Sequence, residues 1–149
     1  MKLILRYFLV ALFAFTSLPL HAAPLRVFFR GGKKTHGPNA HEHERFMNDG
    51  INLLAERGAK TDGGMDWPTA EQFKNTDVIV VYAEEAGDAT PEQQKLIKEF
   101  TERGGGLVVI HSAAVAMNNA DWWKDTIGGS WRKGQTKWKE GPMDLYFTE

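Results

Sequence analysis

Apolar and polar residues fall along this chain in blocks that switch between a strand-like and a helix-like period. Leu25-Arg26-Val27-Phe28-Phe29 reads as a first strand, and it runs into Arg30-Gly31-Gly32-Lys33-Lys34-Thr35-His36-Gly37-Pro38, which is turn and loop chemistry throughout. Asn39 with Glu42 three positions on has the spacing of a capping box, and Gly58 stands where a left-handed stop falls. The spacing predicts a helix over residues 40–57, with Met47, Gly50, Ile51 and Leu54 on one apolar face. Residues 59–64 are polar and glycine-rich and support only a short edge strand, followed by a short helical connection over 67–75. Asp77-Val78-Ile79-Val80-Val81-Tyr82-Ala83 is a continuous apolar run, the mark of a central parallel strand covered on both faces. Thr90, Pro91 and Gln93 supply a cap, a first-turn proline and a box partner for a helix through Glu102. Its inward face carries Leu96, Ile97 and Phe100, and Gly104-Gly105-Gly106 ends it. Leu107-Val108-Val109-Ile110 is a further buried strand with His111 at its carboxyl end. A short helix over 120–127, the turn Gly128-Gly129, an aromatic and basic segment over 131–139 and the alternating Met143, Leu145 and Phe147 complete the pattern.

Strands alternating with capped helices predict an α/β fold of flavodoxin-like topology: a mostly parallel sheet, order 2-1-3-4-5, with helices on both faces. The last strand meets Glu149 with neither a turn nor a covering element after it, so the chain is read as a fragment of a longer protein.

The first residues follow a different logic. Lys2 and Arg6 precede an apolar stretch over residues 7–20, and His21-Ala22-Ala23 follows, the charged, apolar and small-residue order of a secretory signal peptide. That stretch is shorter than the ~20 residues a membrane-spanning helix needs. The expectation is a signal peptide over 1–22, one domain over 23–149, no stable membrane span after cleavage, and a secreted or periplasmic protein. Cleavage removes Lys2 and Arg6 and leaves the remainder mildly acidic with no long basic block, which excludes nucleic acid as a partner. With no cysteine, disulfides, thiolate ligands and a cysteine nucleophile are excluded as well. Nothing in the composition sets an oligomeric state.

In open parallel sheets ligands bind beyond the carboxyl ends of the strands where the strand order reverses, here between the first and third strands. Residues 30–38 and 84–89 border that crevice, and the histidines gather around it: His36 in the first loop, His41 and His43 at the next helix start, His111 at a strand mouth. Positions 41 and 43 lie about 200° apart on a helix, so both cannot face one target. His43 shares the inward stripe with Met47, Gly50 and Leu54, which turns His41 toward solvent unless the helix starts later. His36, His43 and His111 form a candidate set for zinc or another divalent ion, with Glu42, Glu44, Glu84 or Glu85 adding an oxygen. Without metal, a histidine and a carboxylate serve as general base and acid, and His43 and His111 are the candidate catalytic pair.

His41-Glu42-His43-Glu44 does not match the helical His-Glu-x-x-His zinc motif, whose histidines stand four apart. Ile110-His111-Ser112-Ala113-Ala114 lacks the glycines of a G-x-S-x-G elbow, and Gly31-Gly32-Lys33-Lys34-Thr35 lacks the spacing of a P-loop. Trp122 and Trp123 read as packing residues. Trp131 and Trp138, among Arg132, Lys133 and Lys137, suit stacking on a sugar face, so His36, Glu84, Trp131 and Trp138 are the candidate substrate-binding residues.

Several segments taken together resemble a known family. They are Thr35-His36-Gly37-Pro38 with His41-Glu42-His43, the strand from Asp77 to Tyr82, and Thr90-x-Glu92-Gln93. Gly104-Gly105-Gly106-Leu107-Val108-Val109-Ile110-His111-Ser112-Ala113 and Ile127-Gly128-Gly129-Ser130-Trp131 complete the set. In order and spacing they are similar to the ThuA-like, trehalose-utilisation family over about residues 25–149. The resemblance implies a class I glutamine amidotransferase-like domain without the glutaminase cysteine, in which a histidine such as His111 ends the strand near the cysteine's place. It also implies a role in the catabolism of trehalose-like disaccharides or their 3-keto derivatives, and further strands and a His-Pro-rich segment beyond the point where this chain stops. Two alternatives stand beside an enzyme: a non-catalytic carbohydrate-binding module on the same fold, and an inactive truncated remnant.

Overall fold

A computed structural model describes residues 23–116, 118, 120–132, 134–137, 141, 142 and 146. The apolar runs become strands β1 (Arg26–Gly31), β2 (Lys60–Gly64), β3 (Val78–Tyr82) and β4 (Gly106–Val109). All pair in parallel in the order β2-β1-β3-β4, so the reversal between β1 and β3 stands where the sequence places it. Successive side chains of a strand point to opposite faces, and each face meets its own helix layer. Val27 and Phe29 pack with Met47 of α1 (His43–Ala55) on one side. Phe28, Ile79 and Val81 pack with Ile97 and Phe100 of α3 (Pro91–Glu102) on the other, where Phe73 of α2 (Ala70–Lys74) lies 5.6 Å from the Phe100 ring. Each such fully buried side chain contributes about 1.5–3 kcal/mol, and helices on both faces follow from the two buried sets. A separate parallel pair, β5 (Val115–Ala116) and β6 (Trp131–Arg132), is linked through α4 (Ala120–Ile127).

Local signals hold where their chemistry is self-contained. Thr90 and Gln93 form a reciprocal capping box, and so do Thr69 and Gln72, which explains the short helix in the connection. The polar segment over 60–64 is a strand because its backbone bonds to β1, and Gly63 allows close approach: a Cβ there would meet the Phe29 carbonyl oxygen at 2.9 Å. Gly50 does the same for α1, since a Cβ would sit 2.4 Å from the Phe29 ring. Trp122 and Trp123 pack as expected; Trp123 is fully buried and its indole N–H donates to the Ala113 carbonyl at 2.8 Å.

Two boundaries differ from the sequence reading. β1 runs on through Arg30 and Gly31, and Arg30 is buried with its guanidinium over the Trp67 ring at 4.9 Å. Burial lowers its pKa against the pull of Glu85, Asp66 and Asp88. α1 begins at His43, three residues later than predicted, because Asn39 (φ 63°) and His41 (φ 50°) take left-handed backbone conformations that no helix contains. Only half of the expected box forms: the Asn39 backbone N–H donates to the Glu42 carboxylate at 3.1 Å, while that carboxylate also pairs with Lys34. The strand expected around Met143, Leu145 and Phe147 lies outside the described residues, as does the segment over 1–22. Among the described residues no helix is long and apolar enough to cross a membrane.

At the amino-terminal end of the sheet, Asp77 accepts from the Arg26 backbone N–H at 2.9 Å and from its guanidinium. Those bonds hold the Asp77 carboxyl down at about 2, below its ordinary 3.8. A folded-state pKa below the unfolded one gives stability that is complete above the unfolded value and is lost as pH falls through the folded value. Asp77→Asn is therefore expected to flatten the acid limb of a stability-against-pH curve between about pH 4 and 2, the unfolded and folded values of the carboxyl. The pair is partly solvated, so the effect is small. Identical acid limbs in the two proteins would remove the role.

Candidate functional site

The loop after β1 is fastened to the loop after β3. The Lys33 backbone N–H donates to the Glu85 carboxylate at 3.1 Å, and Gly32 lies so close to Ala83 that a Cβ would fall 2.5 Å from it. Glu84 opens a 3-10 turn (Glu84–Asp88) directly behind β3, and His111 opens another (His111–Ala114) behind β4. The carboxyl ends of β1, β3 and β4 thus deliver His36, Glu84 and His111 to one place.

His41 is at the centre of what gathers there. Its ring centroid lies 4.0 Å from that of His36, 5.0 Å from His111 and 5.5 Å from His43. Tyr82, the last residue of β3, closes the group at 4.3 Å from His43 and 6.4 Å from His111. The sequence reading turned His41 toward solvent by applying the helical period where no helix exists; the left-handed turn at φ 50° brings it inward instead. Burial pushes the His41 pKa below its ordinary value, the neighbouring His36, His111 and His43 push the same way, and Glu84 opposes them. His111 is also left-handed, with φ 45°. Such conformations cost on the order of 1–3 kcal/mol in a non-glycine residue and concentrate at functional sites.

Among the described residues, the group able to hold a metal ion is His36, His41 and Glu84, whose ligand atoms lie within 4.8 Å of one another. The Thr35 hydroxyl sits 2.9 Å from Nδ1 of both His36 and His41. Its two lone pairs can accept from both Nδ1–H groups, the tautomer that leaves each Nε2 for an ion. One Glu84 carboxylate oxygen, Oε2, is buried without a hydrogen-bond partner among the described residues. Two imidazoles and a carboxylate suit zinc and other borderline divalent ions.

This differs from the trio His36, His43 and His111 expected from sequence. His43 is 1% exposed and both of its ring nitrogens are engaged, Nδ1 with the Lys33 carbonyl at 2.8 Å and Nε2 with Ser112 Oγ at 3.1 Å. The inward direction read for His43 is correct, but its nitrogens are not free for an ion. Ser112, set aside in the sequence as a nucleophile elbow, is the partner that sequence reasoning missed; it stands 69 positions from His43, and no local pattern joins the two.

A cavity of about 390 Å³ opens onto this group, lined by His36, His41, Glu84, His111, Ser112 and Trp131, among others. That volume falls in the ~300–1,000 Å³ range of small-molecule sites. Of the expected substrate-binding residues, His36, Glu84 and Trp131 share this wall, and Trp138 lies outside the described residues.

A parallel sheet ordered β2-β1-β3-β4, with a histidine at the strand mouth beside the reversal, defines a flavodoxin-like α/β domain with its pocket in the usual crevice. The model of the ThuA family, described as trehalose utilisation, matches residues 27–146, and the chain belongs to that family. Its fold is similar to the crystal structure of a protein described as ThuA-like from Bacteroides uniformis ATCC 8492, with a TM-score of 0.53 and 22% identity. The likeness covers 76% of this chain and 47% of that one, so the chain spans about half the length of that relative. No curated protein matches the chain.

Proposed function

We propose that this chain is an exported protein of carbohydrate catabolism that acts on a disaccharide or keto-glycoside in the pocket at the carboxyl ends of β1, β3 and β4. His36, His41 and Glu84 would hold a divalent ion such as zinc, which would supply Lewis-acid polarisation of a sugar oxygen. His111 at the rim exchanges a proton with the substrate, and Trp131 offers its ring to a sugar face. The observation that carries this reading is the convergence of the two imidazoles and the carboxylate within 4.8 Å on the wall of a cavity that His111 and Trp131 also line. The family's description as trehalose utilisation supports the substrate class. The order of charge, apolar stretch and small residues over residues 1–22 supports export.

The test is metal content and turnover in one preparation. Protein dialysed against zinc is expected to retain about one ion per chain and to turn over a 3-keto-disaccharide until a chelator is added. Turnover without metal would leave histidine acid/base chemistry as the mechanism. Sugar binding without turnover, lost with Trp131→Ala and kept with His111→Ala, would instead establish a binding module, which the position of Trp131 on the cavity wall makes the second reading.

A further inference from the structure

His43 does not line the cavity, yet a single hydrogen bond separates it from the wall. The tautomer of its neutral ring follows from its partners. The Lys33 carbonyl only accepts, so the nitrogen 2.8 Å from it, Nδ1, carries the hydrogen. In the neutral ring Nε2 then carries none, and at 3.1 Å it accepts the hydroxyl hydrogen of Ser112. Ser112 in turn lines the cavity beside His111, and its oxygen keeps lone pairs for a ligand. A hydroxyl, an imidazole and a third group that fixes the imidazole's tautomer form the arrangement by which a base draws a proton from an alcohol. Here the third group is a neutral carbonyl. It orients the ring without adding the charge that a carboxylate would supply.

We propose that Ser112 is the hydroxyl through which buried His43 acts on a bound ligand. Ser112 Oγ takes a proton from a ligand hydroxyl while its own hydrogen passes to His43 Nε2. The ligand O–H bond breaks and a new Oγ–H bond forms; the old Oγ–H bond breaks and an Nε2–H bond forms. One net proton has then moved from ligand to imidazole, leaving an alkoxide against the Ser112 hydroxyl and an imidazolium behind it, and return of the proton reverses each bond. Ser112 touches the ligand and His43 works through it. The assignment rests on the reading of the cavity as a site for a hydroxylated ligand such as a sugar, whereas the relay itself is testable without substrate.

The chain has no cysteine, so Ser112→Cys places a single thiol at the relay. With chelator present and at neutral pH, its thiolate absorbance in the far ultraviolet is expected to be at least ~10-fold that of the same variant carrying His43→Gln, because an adjacent imidazole takes the thiol proton. Equal absorbance in the two backgrounds would overturn the proposal. Nitrogen NMR of the wild-type chain gives a second reading that needs no substitution in the pocket. The neutral His43 ring is expected to carry its hydrogen on Nδ1 and none on Nε2, and a neutral ring with its hydrogen on Nε2 overturns the relay. Neither readout involves metal or sugar, so failure of the proposed function would leave both unchanged.

Discussion

Glu84→Gln is expected to weaken zinc binding by more than ~100-fold while leaving the thermal melt within a few degrees of wild type. Loss of a group that merely orients a metal ligand costs ~10–100-fold in affinity, and loss of a ligand costs more. Glutamine keeps the shape of the side chain and removes the charge, so the buried Oε2, which has no hydrogen-bond partner among the described residues, no longer offers an anionic oxygen. His41→Gln should behave alike, because His41 belongs to the same group. His43→Gln should not, since the His43 nitrogens already face the Lys33 carbonyl and Ser112. Equilibrium dialysis of the three variants separates the alternatives. Zinc binding lost with His43→Gln and kept with Glu84→Gln would restore the trio His36, His43 and His111.

The largest loss of stability is expected from Trp123→Ala. Trp123 is fully buried, its ring lies 5.9 Å from that of Trp67 and 5.3 Å from that of Trp122, and its N–H bonds to the Ala113 carbonyl beside Ser112. Truncating a buried tryptophan costs about 3–5 kcal/mol, and the Ala113 carbonyl loses its partner as well. Against a typical total of about 5–15 kcal/mol, that leaves a variant at the edge of folding. Trp122→Ala, at a half-buried ring, should cost much less. Urea unfolding measures both, and a loss below ~1 kcal/mol for Trp123→Ala would contradict its place in the core.

What the sequence made legible is what local chemistry decides. The continuous apolar run around Ile79 and Val81, the Thr90 and Gln93 box and the histidine after Ile110 each follow from side chains within a few positions of one another. The crevice was legible too, because strand order and ligand position are linked by topology. Two things escaped for definite reasons. The helix start was placed from the Asn39 and Glu42 pattern, but Glu42 pairs with Lys34 and the backbone at 39 and 41 is left-handed, so the helical period gave His41 the wrong direction. The bond between Ser112 and His43 joins residues far apart in sequence, which no window of neighbouring residues reveals.

The left-handed backbone at His41 and His111 also bears on inheritance. Glycine fits that conformation without strain and asparagine with little, whereas an imidazole carries the steric cost in every generation. A lineage that no longer used the pocket would relieve that cost by drifting to glycine or asparagine at either position. Histidine at both is therefore a mark by which a related chain with a working pocket can be told from one in decay.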